Sequence, residues 1–192
     1  MPFTHAEVLL LGAGDAVVRE DAVTAAEVRS LRAAAVATPL HPAGTGRAGE
    51  VREAVRGDRI AWLEVEDEPR FQSAFGLFDA LLAAAREELW LGVLDYELHV
   101  ASYGVGAGYQ AHRDTLLGGS RRRLTAILYL NVGWCPDDGG ELLTWPENGE
   151  PGSRAPLAGR LVLFLPHRLL HAVAPSHAER VSVTGWLRGP GA

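Results

Sequence analysis

Apolar positions along the chain show two textures, and the change comes near Leu94. Before it they recur at helical spacing. Thr24 and Glu27 make a capping box ahead of Val28, Leu31 and Ala35, which predicts a helix from about Ala25 to Ala37. Pro69 suits a first helical turn, and Phe71, Phe75, Phe78, Leu82 and Leu89 then mark one face of a second helix running to about Glu88. Core packing is the ordinary reading of such a stripe. Val8–Leu11 and Ile60–Val65 are short apolar runs that read as strands. His41–Gly49 is rich in Gly and Pro and reads as loop, while Arg47–Gly57 is polar and ambiguous. This half reads as support with little chemistry in view.

After Leu94 short strands alternate with Gly/Pro turns: Tyr96–Tyr103, Leu124–Asn131, Glu141–Trp145, Arg160–Phe164, His171–Ala174 and Arg180–Leu187. Strands of this length and spacing argue for a sandwich or jelly roll. Leu161–Leu165 is apolar on both faces, as a strand covered on both sides should be. Helices first and strands second predict an α+β chain. Its jelly-roll core spans 94–189, buttressed by a helical and strand region at 1–93, in one compact unit.

Composition narrows the function classes. A length of 192 residues allows one domain with a real core. The net charge of −6 argues against a nucleic-acid partner, since phosphate backbones need a basic surface. All 18 basic residues are arginine, which reads as a GC-rich coding sequence. The single cysteine, Cys135, rules out an intrachain disulfide and a thiolate metal cluster. No apolar run approaches the ~20 residues of a membrane span. Val8–Leu11 lacks the basic flank of a signal peptide. The expectation is a cytoplasmic enzyme or binding protein with no membrane partner.

The chemistry gathers in Tyr103–Asp114, which reads Tyr-Gly-Val-Gly-Ala-Gly-Tyr-Gln-Ala-His-Arg-Asp. On a strand, His112 and Asp114 would project from one face, two-thirds of a two-His, one-carboxylate iron site. A surface His and Asp in a turn is the plainer alternative. His171 sits in an apolar strand, where a core histidine is commoner than a ligand. His5, His41, His99, His167 and His177 are further candidates, with His167 the nearest competitor. Arg180, Ser182, Thr184 and Trp186 share one strand face, which looks like pocket lining. An arginine facing a pocket needs a partner, and its fork suits a carboxylate. Gly104, Gly106 and Gly108 precede no helix, so they form a bend and not a nucleotide loop. Gly118–Arg123 reads as an exposed turn with three arginines.

These motifs, with Ile127-Leu-Tyr-Leu-Asn131 and Gly139-Gly140-Glu141, resemble the iron(II)/2-oxoglutarate dioxygenases, specifically the prolyl 4-hydroxylases. Arg56–Trp62, Arg-Gly-Asp-Arg-Ile-Ala-Trp, is similar to the branch that hydroxylates hypoxia-inducible factor. The resemblance implies a double-stranded β-helix in which His112, Asp114 and His171 hold Fe(2+). It implies that Arg180 and Tyr129 take the far carboxylate of 2-oxoglutarate, with Tyr103, Thr184 and Trp186 around it. It further implies O2 as cosubstrate, L-ascorbate as helper, and a proline-containing protein or peptide as substrate. Arg56 and Asp58 would stand on or near a loop covering that substrate, although a solvated charge pair explains them equally well. The same chemistry on a free amino acid or another small molecule is the runner-up. A non-catalytic, cupin-like metal-binding jelly roll and a zinc hydrolase are the readings from other classes; both leave Arg180 unexplained.

Overall fold

A computed structural model describes residues 2–45, 50–52, 54–114 and 121–191. In chain order the elements are α1 (His5–Gly12), β1 (Val17–Arg19), α2 (Ala25–Val36), β2 (His41–Pro42), β3 (Gly44–Thr45), β4 (Glu50–Val51), β5 (Asp58–Leu63), α3 (Glu68–Glu88) and β6 (Asp95–Tyr103). There follow β7 (Tyr109–His112), β8 (Arg122–Tyr129), β9 (Leu142–Trp145), β10 (Gly152–Arg154), β11 (Leu161–Phe164), β12 (Leu170–Val173) and β13 (Arg180–Arg188). A seven-stranded sheet runs β1-β11-β8-β13-β6-β5-β2, and a four-stranded sheet runs β10-β9-β12-β7. Both are antiparallel throughout, and together they form a double-stranded β-helix, a jelly roll buttressed by helices.

The helices cover one face of the larger sheet. Phe71, Phe78 and Leu81 of α3 and Leu31 of α2 pack with Val100, Leu128, Val183 and Leu187 from the strands in one buried cluster. Full burial of each such side chain is worth roughly 1.5–3 kcal/mol. Gly185 lies on the same face of β13, and a Cβ there would sit 2.4 Å from Leu98 and 2.5 Å from Phe78, so only glycine lets α3 approach. The alternate residues of β13, Arg180, Ser182, Thr184 and Trp186, line a cavity of about 760 Å³ between the two sheets. The period-two reading of this strand therefore holds along its length.

The structure corrects three local expectations. Val8–Leu11 is helical, inside α1, and not a strand. Thr4 accepts the Glu7 backbone N–H at 3.2 Å, and Glu7 accepts the Thr4 N–H at 2.7 Å. That capping box decides an apolar run too short to declare its own period. His41–Gly49 contains β2 and β3 in its described part; residues 46–49 lie outside it. Of Gly118–Arg123, residues 118–120 lie outside the described residues, and Arg122 and Arg123 begin β8 instead of a turn. The N-terminal segment also supplies β1, β2 and β5 to the larger sheet, so it builds as well as supports.

Candidate active site

β12 and β7 pair so that His171 lies directly opposite His112. The imidazoles stand 4.3 Å apart between ring centres. Tyr109 stacks on His112 at 3.6 Å, and Phe164 backs His171 at 4.6 Å. The Nδ1–H of His112 donates to the Gln110 carbonyl at 2.8 Å, and that of His171 to the Leu169 carbonyl at 3.2 Å. Each bond fixes the tautomer and leaves Nε2 with a lone pair. Both Nε2 atoms point at one oxygen, Asp114 Oδ1, from 3.5 and 3.6 Å.

Asp114 arrives there by a different route from the one the sequence suggested. β7 ends at His112, so Asp114 sits in a bend beyond the strand and not on its face. Its second oxygen, Oδ2, accepts hydrogen bonds from Thr125 Oγ1 and Trp186 Nε1, each at 2.9 Å. Thr125 and Trp186 are themselves cross-strand partners in β8 and β13. Two strands of the rigid sheet thus hold the carboxylate from behind while Oδ1 faces the histidines. Burial would raise the Asp114 pKa, but His171 and His112, with the Trp186 hydrogen bond, hold it well below the ordinary carboxylate range. Burial pushes His171 down, which keeps its ring neutral.

A second cluster lies at the far end of the cavity. Arg180 is 2% exposed. Its Nε donates to the Gly140 carbonyl at 2.8 Å, and Gly140 reaches this position with φ of +66°, where a Cβ would lie 3.1 Å from the Arg180 side chain. The Gly139-Gly140 pair therefore serves as an anchor for the guanidinium. Arg180 stands 4.9 Å from the Tyr129 ring centre and 5.0 Å from that of Tyr103. Among the described residues no carboxylate pairs with it. The Tyr129 hydroxyl is fully buried beside the Arg180 guanidinium and has no well-formed hydrogen bond among the described residues. Burial raises the pKa of both Tyr129 and Tyr103, so both keep their protons. A buried cation beside an idle hydroxyl is a seat for an anion.

Arg56 and Asp58 are not a solvated pair. Asp58 is 3% exposed and accepts two bonds from Arg56, at 2.6 and 2.9 Å. Arg56 lies 5.0 Å over the Tyr109 ring, so the pair braces the wall behind His112. Thr184 and Trp186 share the cavity wall with Arg180, although Trp186 is committed to Asp114. His167 is exposed, away from the cluster. Arg122, expected in an exposed turn, pairs with Glu97 at 2.8 Å and lies 3.5 Å over Trp186. No local sequence pattern singles out Thr125, whose role depends on a strand register, or Tyr109, whose ring could have packed anywhere.

Comparison with known proteins agrees with this geometry. Residues 98–188 match the 2OG-Fe(II) oxygenase superfamily. The crystal structure of a Pseudomonas putida prolyl-4-hydroxylase is 35% identical, with a TM-score of 0.86, over 96% of this chain and 98% of that one. The chain belongs to the 2OG-Fe(II) oxygenase superfamily. Prolyl hydroxylase EGLN3 is 33% identical in Homo sapiens and 32% in Mus musculus, over 148 residues and 73% of this chain. The chain spans 62% of the length of these relatives. A Trichoplax adhaerens prolyl hydroxylase, solved with a hypoxia inducible factor peptide, shares the fold at TM-score 0.84 and 23% identity.

Membership of the 2OG-Fe(II) oxygenase superfamily implies Fe(II), 2-oxoglutarate and O2. The residues present fit the metal. One donor atom from each of His112, Asp114 and His171 lies within 4.8 Å of the others. Two neutral imidazoles and a carboxylate are the donor set that suits a non-haem Fe(II) with open positions. The buried Tyr129 hydroxyl and the Arg180 guanidinium fit the far end of a diacid.

Proposed function

We propose that the protein hydroxylates a prolyl residue of a protein or peptide, with release of succinate and CO2. His112, Asp114 and His171 hold the iron in this reading. Arg180 and Tyr129 bind the distal carboxylate of 2-oxoglutarate, and Tyr103 and Thr184 flank it. The observation that carries the reading is one cavity with three convergent donors at one end and, at the other, a buried arginine that no carboxylate pairs with among the described residues. The prolyl assignment draws on the likeness to the Pseudomonas and EGLN3 prolyl hydroxylases.

When bound, the iron supplies O2 activation coupled to oxidative decarboxylation of 2-oxoglutarate. The protein does the rest. The two Nδ1–H bonds to backbone carbonyls fix the ring orientation and leave both Nε2 atoms aimed at the metal. Thr125 and Trp186 hold Asp114 so that one oxygen only is offered. Arg180 orients the diacid by its far end, because a guanidinium binds a carboxylate through two parallel bonds. Tyr129, as a protonated phenol, donates a further hydrogen bond. The phenyl, imidazole and indole rings around the centre keep it dry, which strengthens each of these interactions.

The cavity volume of about 760 Å³ exceeds what a five-carbon diacid fills. Trp62, 46% exposed on its wall, leaves the mouth open to a chain and so favours a peptide over a free amino acid. We place Arg56 and Asp58 at the substrate-side rim as a brace for that wall. Residues 1–93 and 94–189 act as one unit, since strands of both build the larger sheet. L-Ascorbate would keep the iron ferrous, and a cytoplasmic setting suits a chain with one free cysteine.

The test is to incubate the purified protein with Fe(II), 2-oxoglutarate and a proline-rich lysate digest and read the products by mass spectrometry. One added oxygen on proline, with matching succinate, is the expected result. His112→Ala or Asp114→Ala should abolish it. Succinate formation stimulated by free amino acids and not by peptides would overturn the prolyl reading.

A further inference from the structure

His99 plays no part in the chemistry so far, yet it lines the same cavity. It lies on β6 opposite Thr184 and is 3% exposed. Its ring packs against two indoles that also touch each other, Trp62 at 5.1 Å edge-on and Trp186 at 5.1 Å tilted. Trp186 is the residue bonded to Asp114, so His99 stands one indole away from the metal carboxylate. Its Nδ1 is fully buried without a hydrogen-bond partner. Nε2 makes no protein hydrogen bond among the described residues, and it is the nitrogen left to the cavity. Burial, with Arg56 and Arg122 nearby, pushes the pKa down to about 3, so the ring is neutral.

A neutral imidazole carries one N–H and one lone pair. Orphaned buried N–H groups are rarer than under-used acceptors, so Nδ1 is the unprotonated nitrogen. The proton then sits on Nε2 and faces the cavity as a donor. A prolyl residue offers no backbone N–H; the polar groups flanking its ring are carbonyls, which only accept. Donor and acceptor match.

We infer that His99 is a substrate-binding residue whose Nε2–H donates to a backbone carbonyl of the peptide, that of the target proline or of the residue before it, with the pyrrolidine ring against Trp62 and Trp186. This rests on the prolyl reading and deepens it. It gives the site a hydrogen bond to the peptide backbone that does not need the N–H proline lacks, and makes peptide binding separable from cosubstrate binding.

The experiment uses the enzyme loaded with Fe(II) and 2-oxoglutarate under argon, titrated with the prolyl peptide it turns over fastest in the digest screen. Tryptophan fluorescence reads binding without turnover. Loss of one hydrogen bond predicts about a tenfold weaker peptide Kd in His99→Met, with 2-oxoglutarate affinity unchanged within twofold. His99→Gln, which keeps an N–H donor, should recover most of the loss. A peptide with a thioamide at either carbonyl tests the same bond on the wild-type protein and needs no folded variant. One of the two thioamides should weaken wild-type binding and leave His99→Met binding unchanged. Equal peptide Kd values for wild type and His99→Met, or full-strength binding of both thioamides, would overturn the inference. So would a parallel loss of 2-oxoglutarate affinity. Absence of any prolyl-peptide turnover would remove the prolyl reading as well, whereas absence of the His99 effect removes this inference alone.

Discussion

Two buried arginines stand on the walls of one cavity, and their surroundings are opposite. Arg56 is locked to Asp58 by two short hydrogen bonds, and although burial opposes its charge, the Asp58 carboxylate raises its pKa. Arg180 is more deeply buried than Arg56, whose side chain keeps some exposure, yet its bonded partner is a neutral carbonyl. The first charge is spent inside the protein. The second is left for something that comes and goes. A cation of the first kind holds a wall in place, while one of the second kind binds a ligand. The difference is legible only by asking what each guanidinium touches.

The largest expected effect comes from making Arg56 resemble Arg180. Asp58→Ala would strand a buried charge, and breaking such a pair costs about 3–5 kcal/mol. A fall of roughly 10 °C in Tm by scanning calorimetry is the expected outcome for a chain of this size. The double variant Arg56→Met with Asp58→Leu should recover most of that loss, because the pair and an apolar replacement are nearly equivalent in stability. Were the double variant as unstable as the single one, the pair would be holding more than each other.

Next comes Arg180. Arg180→Met removes a buried charge that has no carboxylate partner among the described residues, so the ligand-free protein should melt no lower than wild type, the lost Gly140 bond offsetting part of the gain. Its cost appears with ligand. Loss of charge-assisted bonds at about 1.5–3 kcal/mol each predicts a 2-oxoglutarate Kd weaker by about a hundredfold, measured by calorimetric titration. Fe(II) affinity should stay within twofold, since His112, Asp114 and His171 are untouched. A loss of iron binding instead would show that the two ends of the cavity are not independent.

How much of this was legible in the sequence follows from the range of each signal. The period of two on β13 separated Arg180, Ser182, Thr184 and Trp186 from Val181, Val183 and Leu187 with no tertiary knowledge, because alternation is a local property. The α2 capping box was equally local. The same-face reading of His112 and Asp114 pairs two residues that the structure also brings together, but for an incomplete reason. β7 stops at His112, and Asp114 is placed by Thr125 and Trp186, whose strands pair at a register that no local pattern states. α1 was read as a strand because four apolar residues fit either period, and Thr4 and Glu7 decide it. β1 is three residues long and is defined by pairing with β11, far along the chain. Tyr129 could not be singled out by parity because both faces of β8 are covered; it came from the family resemblance.

Tyr129 sharpens the comparison further. Its hydroxyl is idle and buried, a condition that costs about 1–3 kcal/mol in the ligand-free protein. Tyr129→Phe should therefore melt slightly higher than wild type without ligand, by a few degrees in Tm. With 2-oxoglutarate the order should reverse, as the variant loses one hydrogen bond and about fivefold in affinity. Thermal shift with and without 2-oxoglutarate measures both signs in one experiment. A variant less stable in both conditions would mean that the hydroxyl has a partner inside the fold.

The smallest effect belongs to a third arginine, one with a carboxylate partner but near the surface. Arg19 Nε meets Glu7 at 2.7 Å, where Glu7 also closes the α1 capping box. The Arg19 hydrogen bond lowers the Glu7 pKa from its ordinary 4.5, burial works against it, and Thr4 adds to the lowering. A carboxylate with a depressed folded-state pKa contributes stability that is fully present above the unfolded value. That stability fades as pH falls below about 4.5 and through the folded value. Solvent screens the pair, so a few tenths of a kcal/mol, or about 1 °C in Tm, is the scale. Wild type should thus lose about one degree more than Glu7→Gln between pH 7 and pH 3, and the gap should narrow in high salt. The Arg56 pair should show less salt dependence in its stability term, because its carboxylate, Asp58, is buried where Glu7 keeps some exposure. A salt-sensitive Asp58→Ala deficit would place the Arg56 pair with Arg19 and would end its distinction as a wall element.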